Sequence, residues 1–458
     1  MLARYFRTYP WKLAIAWLAF LAPFFFLSYR FANWFTGLRP HVPSLVFGWE
    51  HTIPFLAWTI VPYWSTDLLY GLSLLFCPTR DELHTHGKRL LAAQILSVTG
   101  SLLFPLRFSF QVPQAEGLFG WMFAALHGFD RPFNQAPSLH LSLTVLLWSE
   151  YSRRLRGAWL WLMRGWMVLV AISTLTTFQH HFIDLPTGIW VGLLVAVLFP
   201  FEKLSAPSPA SGDRAKYRIA AYYLVGAALI FAALARFGGA AWLLLWPGGS
   251  LLLMGLIYLS GCAGWFRKSG GRIPASVQCL LGPYLLGAWL NWRWWAQREA
   301  ASDEIANGIR LGRLPRPGEH DRSGIASIVD LTAELSIRPS GIRYRALPML
   351  DRLVPEMAQL NAAVAAIDDL REARPTLVCC ALGYSRSAAA VAAWLLASGK
   401  AATVDDAIVQ IRRGRPRIVL RAADRARLEE WRRLAVSTPA IDQCPENQSE
   451  LIRVKHSG

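Results

Sequence analysis

Long apolar runs, separated by short and mostly basic segments, fill the chain up to about residue 300, and the pattern changes beyond it. The first run, 13–26, follows Arg4, Arg7 and Lys12. It has the charged and apolar regions of a secretory signal but no clear small-residue cleavage site, so it reads as an uncleaved anchor. Further spans are expected at 52–76, 90–110, 138–151, 158–178, 182–201, 219–236 and 241–262, because these runs are too long for ordinary core helices. The stretch 276–295 is also apolar enough to cross. Gly282-Pro283 interrupts it, however, and Asn291, Arg293 and several Trp crowd its end. An interfacial or re-entrant segment is the preferred reading there. The Ser/Pro/Gly-rich stretch 205–213 predicts a flexible loop. No internal repeat is visible.

Beyond residue 300 the apolar runs shorten. Thr376-Leu377-Val378-Cys379 predicts a short buried strand, and 388–396 (AAAVAAWLL) predicts a helix after a brief loop. The chain therefore divides into a membrane domain at 1–202, additional spans and an interfacial segment at 203–300, a second domain at 301–437, and a polar tail at 438–458.

Composition supports a membrane protein: 54% of the 458 residues are hydrophobic and only 17% charged. The formal net charge of +17 lies mainly between the apolar runs and in the last third. With a basic N-terminus inside, 79–89, Arg153-Arg154-Leu155-Arg156, 202–218, Arg267-Lys268 and Arg272 all fall on the inner side, as the positive-inside rule requires. That distribution suits cytoplasmic loops and anionic headgroups. No nucleic-acid module is present, and no nucleic-acid partner is expected. The six cysteines (77, 262, 279, 379, 380 and 444) form neither a disulfide framework nor a zinc-binding spacing. No metal and no cofactor are expected.

The sharpest chemistry lies at Cys379-Cys380-Ala381-Leu382-Gly383-Tyr384-Ser385-Arg386-Ser387. A strand–loop–helix unit aims successive loop N–H groups and the positive helix end at one point. Such a point stabilises both a thiolate and a phosphate dianion. Cys380 is the candidate nucleophile. The N–H groups of Ala381, Leu382, Gly383, Tyr384 and Ser385 would cradle phosphate, and Arg386 would add a two-pronged fork. The Ser387 hydroxyl would donate to the Cys380 sulfur and help it leave from a phosphoenzyme. A working Cys380 needs a reducing compartment, which places this domain in the cytosol.

This loop resembles the C-x5-R-[ST] loop of cysteine-dependent protein and lipid phosphatases, in the compact dual-specificity branch, over about residues 303–435. The resemblance implies an α/β domain with a central mixed, mainly parallel sheet, beside an all-α multi-span N-terminal bundle. Residues 309–315 look like the family's opening strand, 325–334 like its central strand and following turn, and 412–416 like its stretch downstream of the loop. Residues 342–351 match the segment that delivers the general acid, so Asp351 would protonate the leaving oxygen and later activate water. The family usually has His before the nucleophile, where this chain has Cys379. A vicinal thiol there could trap an oxidised Cys380.

A second constellation sits in the apolar part. Pro137-Ser138-Leu139-His140 opens the fourth expected span, and Gln179-His180-His181-Phe182-Ile183-Asp184 opens the sixth, both at the outer face. On a helix, His180 and Asp184, four residues apart, would share one side. The carboxylate would fix the His180 tautomer, leaving the other nitrogen to attack phosphorus. His140 would protonate the departing alcohol and Ser138 would hydrogen-bond the phosphate.

These motifs resemble the Pro-Ser-x-His and His-x3-Asp patterns of the type 2 phosphatidic acid phosphatase superfamily, over about residues 50–202. The resemblance implies that His180 is the nucleophile, Asp184 its partner and His140 the acid. Ser173-Thr174 stand where the superfamily often has Ser-Arg, and its Lys-x6-Arg-Pro motif has no counterpart, with Arg107 and Arg131 as possible substitutes. In these respects the chain looks like the inositol-phosphoceramide and sphingomyelin synthase branch, which transfers a phospho-headgroup. Both hydrolysis and transfer stay open. The expected substrate is a phospholipid or lipid phosphate at the membrane. A phosphoprotein, with the membrane part sensing lipid, is the alternative.

Overall fold

The computed structural model describes residues 9–129, 131–201, 214–306, 308–319, 323–339, 341–372 and 375–437. Arg4, Arg7, the expected loop at 205–213 and the tail at 438–458 lie outside the described residues. The chain forms two compact units, 1–203 and 204–458.

The first unit is helical. Among the described residues of the whole chain, four helices are long and apolar enough to cross a membrane: Trp11–Gly37, Gly157–Thr176, Ala215–Phe237 and Ala241–Ser260. The other expected spans form shorter or more polar helices. The one expected at 90–110 runs over Arg80–Leu103, starting where the Thr79 side chain accepts from Glu82 N–H at 3.2 Å. It turns His86, Arg89, Gln94, Ser97 and Ser101 inward. Buried Arg89 donates to the Phe199 carbonyl at 2.6 Å and lies over the Phe201 ring. Helix Ile60–Ser73 covers part of 52–76, and a helix not expected from the pattern occupies Gly117–Phe129.

Helices Leu139–Arg154 and Asp184–Leu198 carry the two histidine motifs, and small residues bring them together. A Cβ on Gly188 would lie 2.4 Å from the Ser138 carbonyl oxygen, and one on Gly192 would lie 2.7 Å from that of Ser142. Gly188 and Gly192 are four apart, the small-xxx-small spacing that lets helix backbones approach closely. Ser142 Oγ donates to Gly188 O at 2.9 Å across this contact.

In the second unit, Ala215–Phe237 and Leu245–Ser260 pair antiparallel, with Gly255 against Leu224 and Gly248 against Ile230 and Phe231. The 276–295 stretch breaks at Leu281 into helices Ala275–Leu280 and Gly282–Ala296. The second has 15 residues, about 22 Å at 1.5 Å per residue, short of a ~30 Å bilayer core.

The unit's sheet has strands β1 (Ser302–Ala306), β2 (Ile309–Arg313), β3 (Ser327–Thr332), β4 (Arg343–Met349) and β5 (Thr376–Cys380), in the order β1-β2-β5-β3-β4. Only β1 pairs antiparallel, so the sheet is mixed and mainly parallel, as expected. The middle position belongs to β5 rather than to the 325–334 strand. Burial does not distinguish the two, since every residue of both β3 and β5 is buried. Helices Met357–Leu370, Arg386–Ala397, Val404–Gly414 and Ala422–Ser437 contribute one core around the sheet. A second core joins Trp292 and Ala296, at the end of Gly282–Ala296, to Leu314, Ile325, Ile328 and Cys379.

Candidate active sites

The loop between β5 and helix Arg386–Ala397 is built by its carbonyls. Leu314 N–H donates to the Cys380 and Ala381 oxygens at 2.8 and 3.3 Å, Val419 N–H to Tyr384 O at 2.9 Å, and Ala389 N–H to Ser385 O at 2.8 Å. Arg415 takes the two between, donating to Leu382 O at 2.9 Å and Gly383 O at 3.0 Å. Six consecutive carbonyls are thus held outward. In a planar trans peptide the N–H points opposite the carbonyl, so the N–H groups following them face the loop centre. Gly383 has φ +74°, and a Cβ there would sit 2.5 Å from the Gly312 carbonyl. Only glycine fits that turn.

Cys380 is 4% exposed, and the Ser387 hydroxyl donates to its sulfur at 3.2 Å. Arg386 is held by Glu334 through two bonds of 2.7 and 3.0 Å, and it also donates to Met349 O at 3.0 Å. Burial alone would push the Glu334 carboxyl up, but the Arg386 guanidinium outweighs it and holds the group below the usual range. In return Glu334, followed by Asp351, raises Arg386 despite its burial. Asp351 Oδ1 lies 3.3 Å from Arg386, on a half-exposed side chain at the same mouth. Arg386 Nε is buried without a partner among the described residues, a donor that a phosphate oxygen would satisfy. The structure therefore gathers Cys380, Ser387, Arg386 and Asp351 around one loop.

Adjacent strand residues point to opposite faces. Cys380 belongs to the helix-covered core and Cys379 to the core containing Trp292. Cys379 is therefore not poised to trap Cys380, which corrects the redox expectation. Burial, and then the Asp330 carboxylate, push the Cys379 thiol well up. Beside it Lys268 is buried and donates to Asp330 Oδ2 at 2.6 Å, Thr332 Oγ1 at 2.6 Å and Thr332 O at 3.0 Å. Tyr344 O–H and the Thr332 N–H and hydroxyl complete the Asp330 shell, each at 2.8 Å.

The apolar helices reach the same mouth. The Tyr258 hydroxyl donates to the Asp351 carbonyl at 3.2 Å. Tyr258 stacks on Tyr223 at 5.5 Å, and Tyr284 meets Tyr223 edge-on at 5.9 Å. Three helices that the sequence pattern assigns to the membrane or its surface thus meet at tyrosines beside the acid loop. Glu334, Arg415, Lys268 and Asp330 belong to the site although no motif in the sequence assigns them a role there. Arg415 lay within a stretch already matched to the phosphatase family. Glu334 and Lys268 carried no spacing signal, because their partners are distant in sequence.

In the first unit His180 precedes the helix that starts at Asp184, so the shared helix face is corrected. A turn does the work instead, in which Asp184 Oδ2 accepts from His180 Nδ1 at 3.1 Å and His181 N–H at 3.0 Å. Thr174 O accepts the His180 N–H at 3.0 Å. With Nδ1–H on Asp184, His180 Nε2 accepts from the Ser138 hydroxyl at 3.2 Å. Ser138 also caps its own helix through Leu141 N–H at 3.3 Å. His180 lines a cavity of about 240 Å³ with Arg131, Asn134, Gln135 and Phe178. His140 does not line it; its Nε2 donates to Tyr63 O at 2.9 Å and its ring stacks on Tyr63 at 4.1 Å. Arg107 also lies outside the lining. The pattern overlooked Glu50, which accepts from His181 Nδ1 at 2.9 Å and Phe182 N–H at 3.0 Å. Ser109 N–H donates to the other His181 nitrogen at 3.2 Å, so that ring is fully engaged.

Comparison with known proteins bears on the second unit. A comparison with curated proteins found no match. Among solved structures the chain is similar to PTPMT1 (24% identity, 30% of this chain and 96% of that chain, TM-score 0.27). It is also similar to a mouse putative dual specificity phosphatase complexed with zinc tungstate (22%, 30% and 89%, 0.28). Human DUSP28 is similar as well (20%, 30% and 98%, 0.27). Residues 316–434 match the family model for the dual specificity phosphatase catalytic domain. The span that matches contains the Cys380 loop, Glu334, Asp351 and Arg415, and on that match the C-terminal part of this chain is a dual-specificity phosphatase domain, a phosphoric monoester hydrolase.

Proposed function

We propose that the chain is a bifunctional membrane enzyme of phospholipid metabolism, whose phosphatase domain removes phosphate from a lipid phosphomonoester on the cytosolic side of a bacterial inner membrane. The Cys380 thiolate attacks phosphorus, forming the S–P bond as the bond to the lipid oxygen breaks. Asp351 gives its proton to that oxygen. Arg386 and the inward N–H groups from Ala381 to Ser385 hold the phosphoryl oxygens, matching the charge that develops on them. Water then attacks phosphorus and Asp351 takes its proton. The S–P bond breaks, releasing inorganic phosphate and a thiolate steadied by Ser387.

The observation that carries the lipid reading is the Tyr258 hydrogen bond to the Asp351 carbonyl, from a helix apolar enough to cross a membrane. A site walled by such helices meets its substrate at the bilayer surface, at high effective concentration. In the first unit, His180 would attack a second lipid phosphoester with Asp184 fixing its tautomer and Ser138 holding its Nε2 or a phosphate oxygen; to act as acid, His140 would have to turn its Nε2 from the Tyr63 carbonyl to the leaving oxygen. Whether water or another lipid accepts that phosphoryl group decides between hydrolysis and transfer.

The test assays Cys380→Ser and His180→Ala separately in membranes, for phosphate release from lipid phosphomonoesters and for headgroup transfer. Each variant should lose one activity and keep the other. If neither lowers phosphate release from any lipid phosphomonoester, the reading fails.

A further inference from the structure

A second basic site lies beside the acid loop, within the same unit. A cavity of about 430 Å³ is lined by Arg214, Ala215, Arg218, Val354, Arg421 and Ala423. Arg214 and Arg218 are four residues apart at the start of helix Ala215–Phe237, so they stack on one face. That helix is one of the four long and apolar enough to cross a membrane, so its first turn marks the level where headgroups begin. Arg421 comes from a different part of the fold, just before helix Ala422–Ser437. It donates to the Arg352 carbonyl at 2.9 Å, which ties the cavity wall to the residue after Asp351. Asp424 accepts from Arg421 Nε at 3.1 Å. That pair engages Arg421 alone, and Arg214 and Arg218 line the same cavity beside it. Val354 follows Asp351 by three residues, so their Cα atoms are at most about 11 Å apart.

We propose that this cavity is a phosphate subsite, in which Arg214, Arg218 and Arg421 hold the phosphodiester of an anionic phospholipid next to the Cys380 site. Guanidinium forks suit that ligand, since each can bind two phosphate oxygens at once. The inference rests on the lipid reading above. The phosphodiester has two sources: the substrate itself, when the lipid carries a second phosphate, or a neighbouring bilayer lipid.

The test uses the full chain in nanodiscs and the double variant Arg214→Gln/Arg218→Gln. One arm compares kcat/KM for phosphatidic acid, which has one phosphate, with that for phosphatidylinositol 5-phosphate, which has a monoester and a diester. A substrate-borne source predicts a preference for the two-phosphate lipid that falls about tenfold or more in the variant, the loss expected for removing a charge-assisted contact. The other arm follows p-nitrophenyl phosphate hydrolysis in phosphatidylcholine discs with and without phosphatidylglycerol. A bilayer source predicts a stimulation by the anionic lipid that the variant loses. In both arms Arg214→Lys/Arg218→Lys should restore part of the effect, which a structural loss would not. If the variant shifts neither the preference nor the stimulation, the subsite is refuted. If p-nitrophenyl phosphate is hydrolysed but neither lipid is, the lipid reading fails, while the second arm still decides the subsite.

Discussion

Lys268→Met tests whether the segment after the last apolar helix is part of the phosphatase domain. Lys268 is a buried ammonium whose three donated bonds go to Asp330 and Thr332. Its removal leaves the Asp330 carboxylate buried, with hydrogen bonds from Tyr344 and Thr332 but without its counter-charge. Breaking a buried pair from one side costs about 3–5 kcal/mol. For a unit of this size that lowers the melting temperature by roughly 6–20 °C. Melting is followed by labelling of the buried Cys379 thiol, identified by peptide mass spectrometry, with exposed Cys279 replaced by Ser. The thiol shares a core with Trp292 and the sheet, so its exposure reports opening of this domain and not of the chain at large. The double variant Lys268→Met/Asp330→Asn replaces the charges by a neutral pair. It should be more stable than the sum of the single losses by about 0.5–3 kcal/mol. If Lys268→Met changes the Cys379 melting point by less than about 2 °C, where one kcal/mol is worth 2–4 °C, the account of this anchor is wrong.

Arg415→Ala frees the Leu382 and Gly383 carbonyls, and kcat for a soluble phosphomonoester should fall about 10–100-fold, matching a loss of 1.5–3 kcal/mol. Glu334 sits below its ordinary value of 4.5 when folded, so its stabilisation is complete above that pH and is lost as pH falls through the folded value. Glu334→Gln should therefore flatten the acid limb of a stability–pH curve below about pH 4.5 and cost about 1.5–3 kcal/mol at neutral pH. Gly188→Leu would drive side-chain atoms into the Ser138 carbonyl. It should destabilise the first unit by about 1–3 kcal/mol and abolish the His180-dependent activity, read by thermal unfolding and headgroup-transfer assay.

The chemistry that was legible in the sequence is local chemistry. Cys380, Gly383, Arg386 and Ser387 lie close together in sequence, from the end of β5 to the first turn of helix Arg386–Ala397, so spacing alone announced a phosphate cradle. Asp351 was reached through a family pattern. The groups that hold these residues in place were not legible. Glu334 reaches Arg386 across the sheet, and Arg415 reaches the loop from the end of Val404–Gly414. Lys268 reaches Asp330 from a segment read only as a basic inner loop. Such contacts depend on strand order, which no local pattern states: β3 and β5 are both wholly buried, yet β5 takes the middle. In the first unit the His180–Asp184 spacing pointed to the right pair by the wrong route, since a turn brings them together and not a helix. Arg80–Leu103 shows why apolar runs misplace helix ends: its polar side is turned inward, which hydropathy reads as a boundary.

The central claim is that the Cys380 site works on a lipid. Asp351→Ala should slow leaving-group protonation and hold substrate in the loop, with the apolar helices and the Tyr258 contact region still in place. The full-length variant is purified from membranes and its bound phosphorylated species are identified by mass spectrometry, with Cys380→Ser/Arg386→Met as the blank. The account predicts a lipid phosphomonoester enriched over the blank. Enrichment of a phosphopeptide without any lipid phosphomonoester would contradict it.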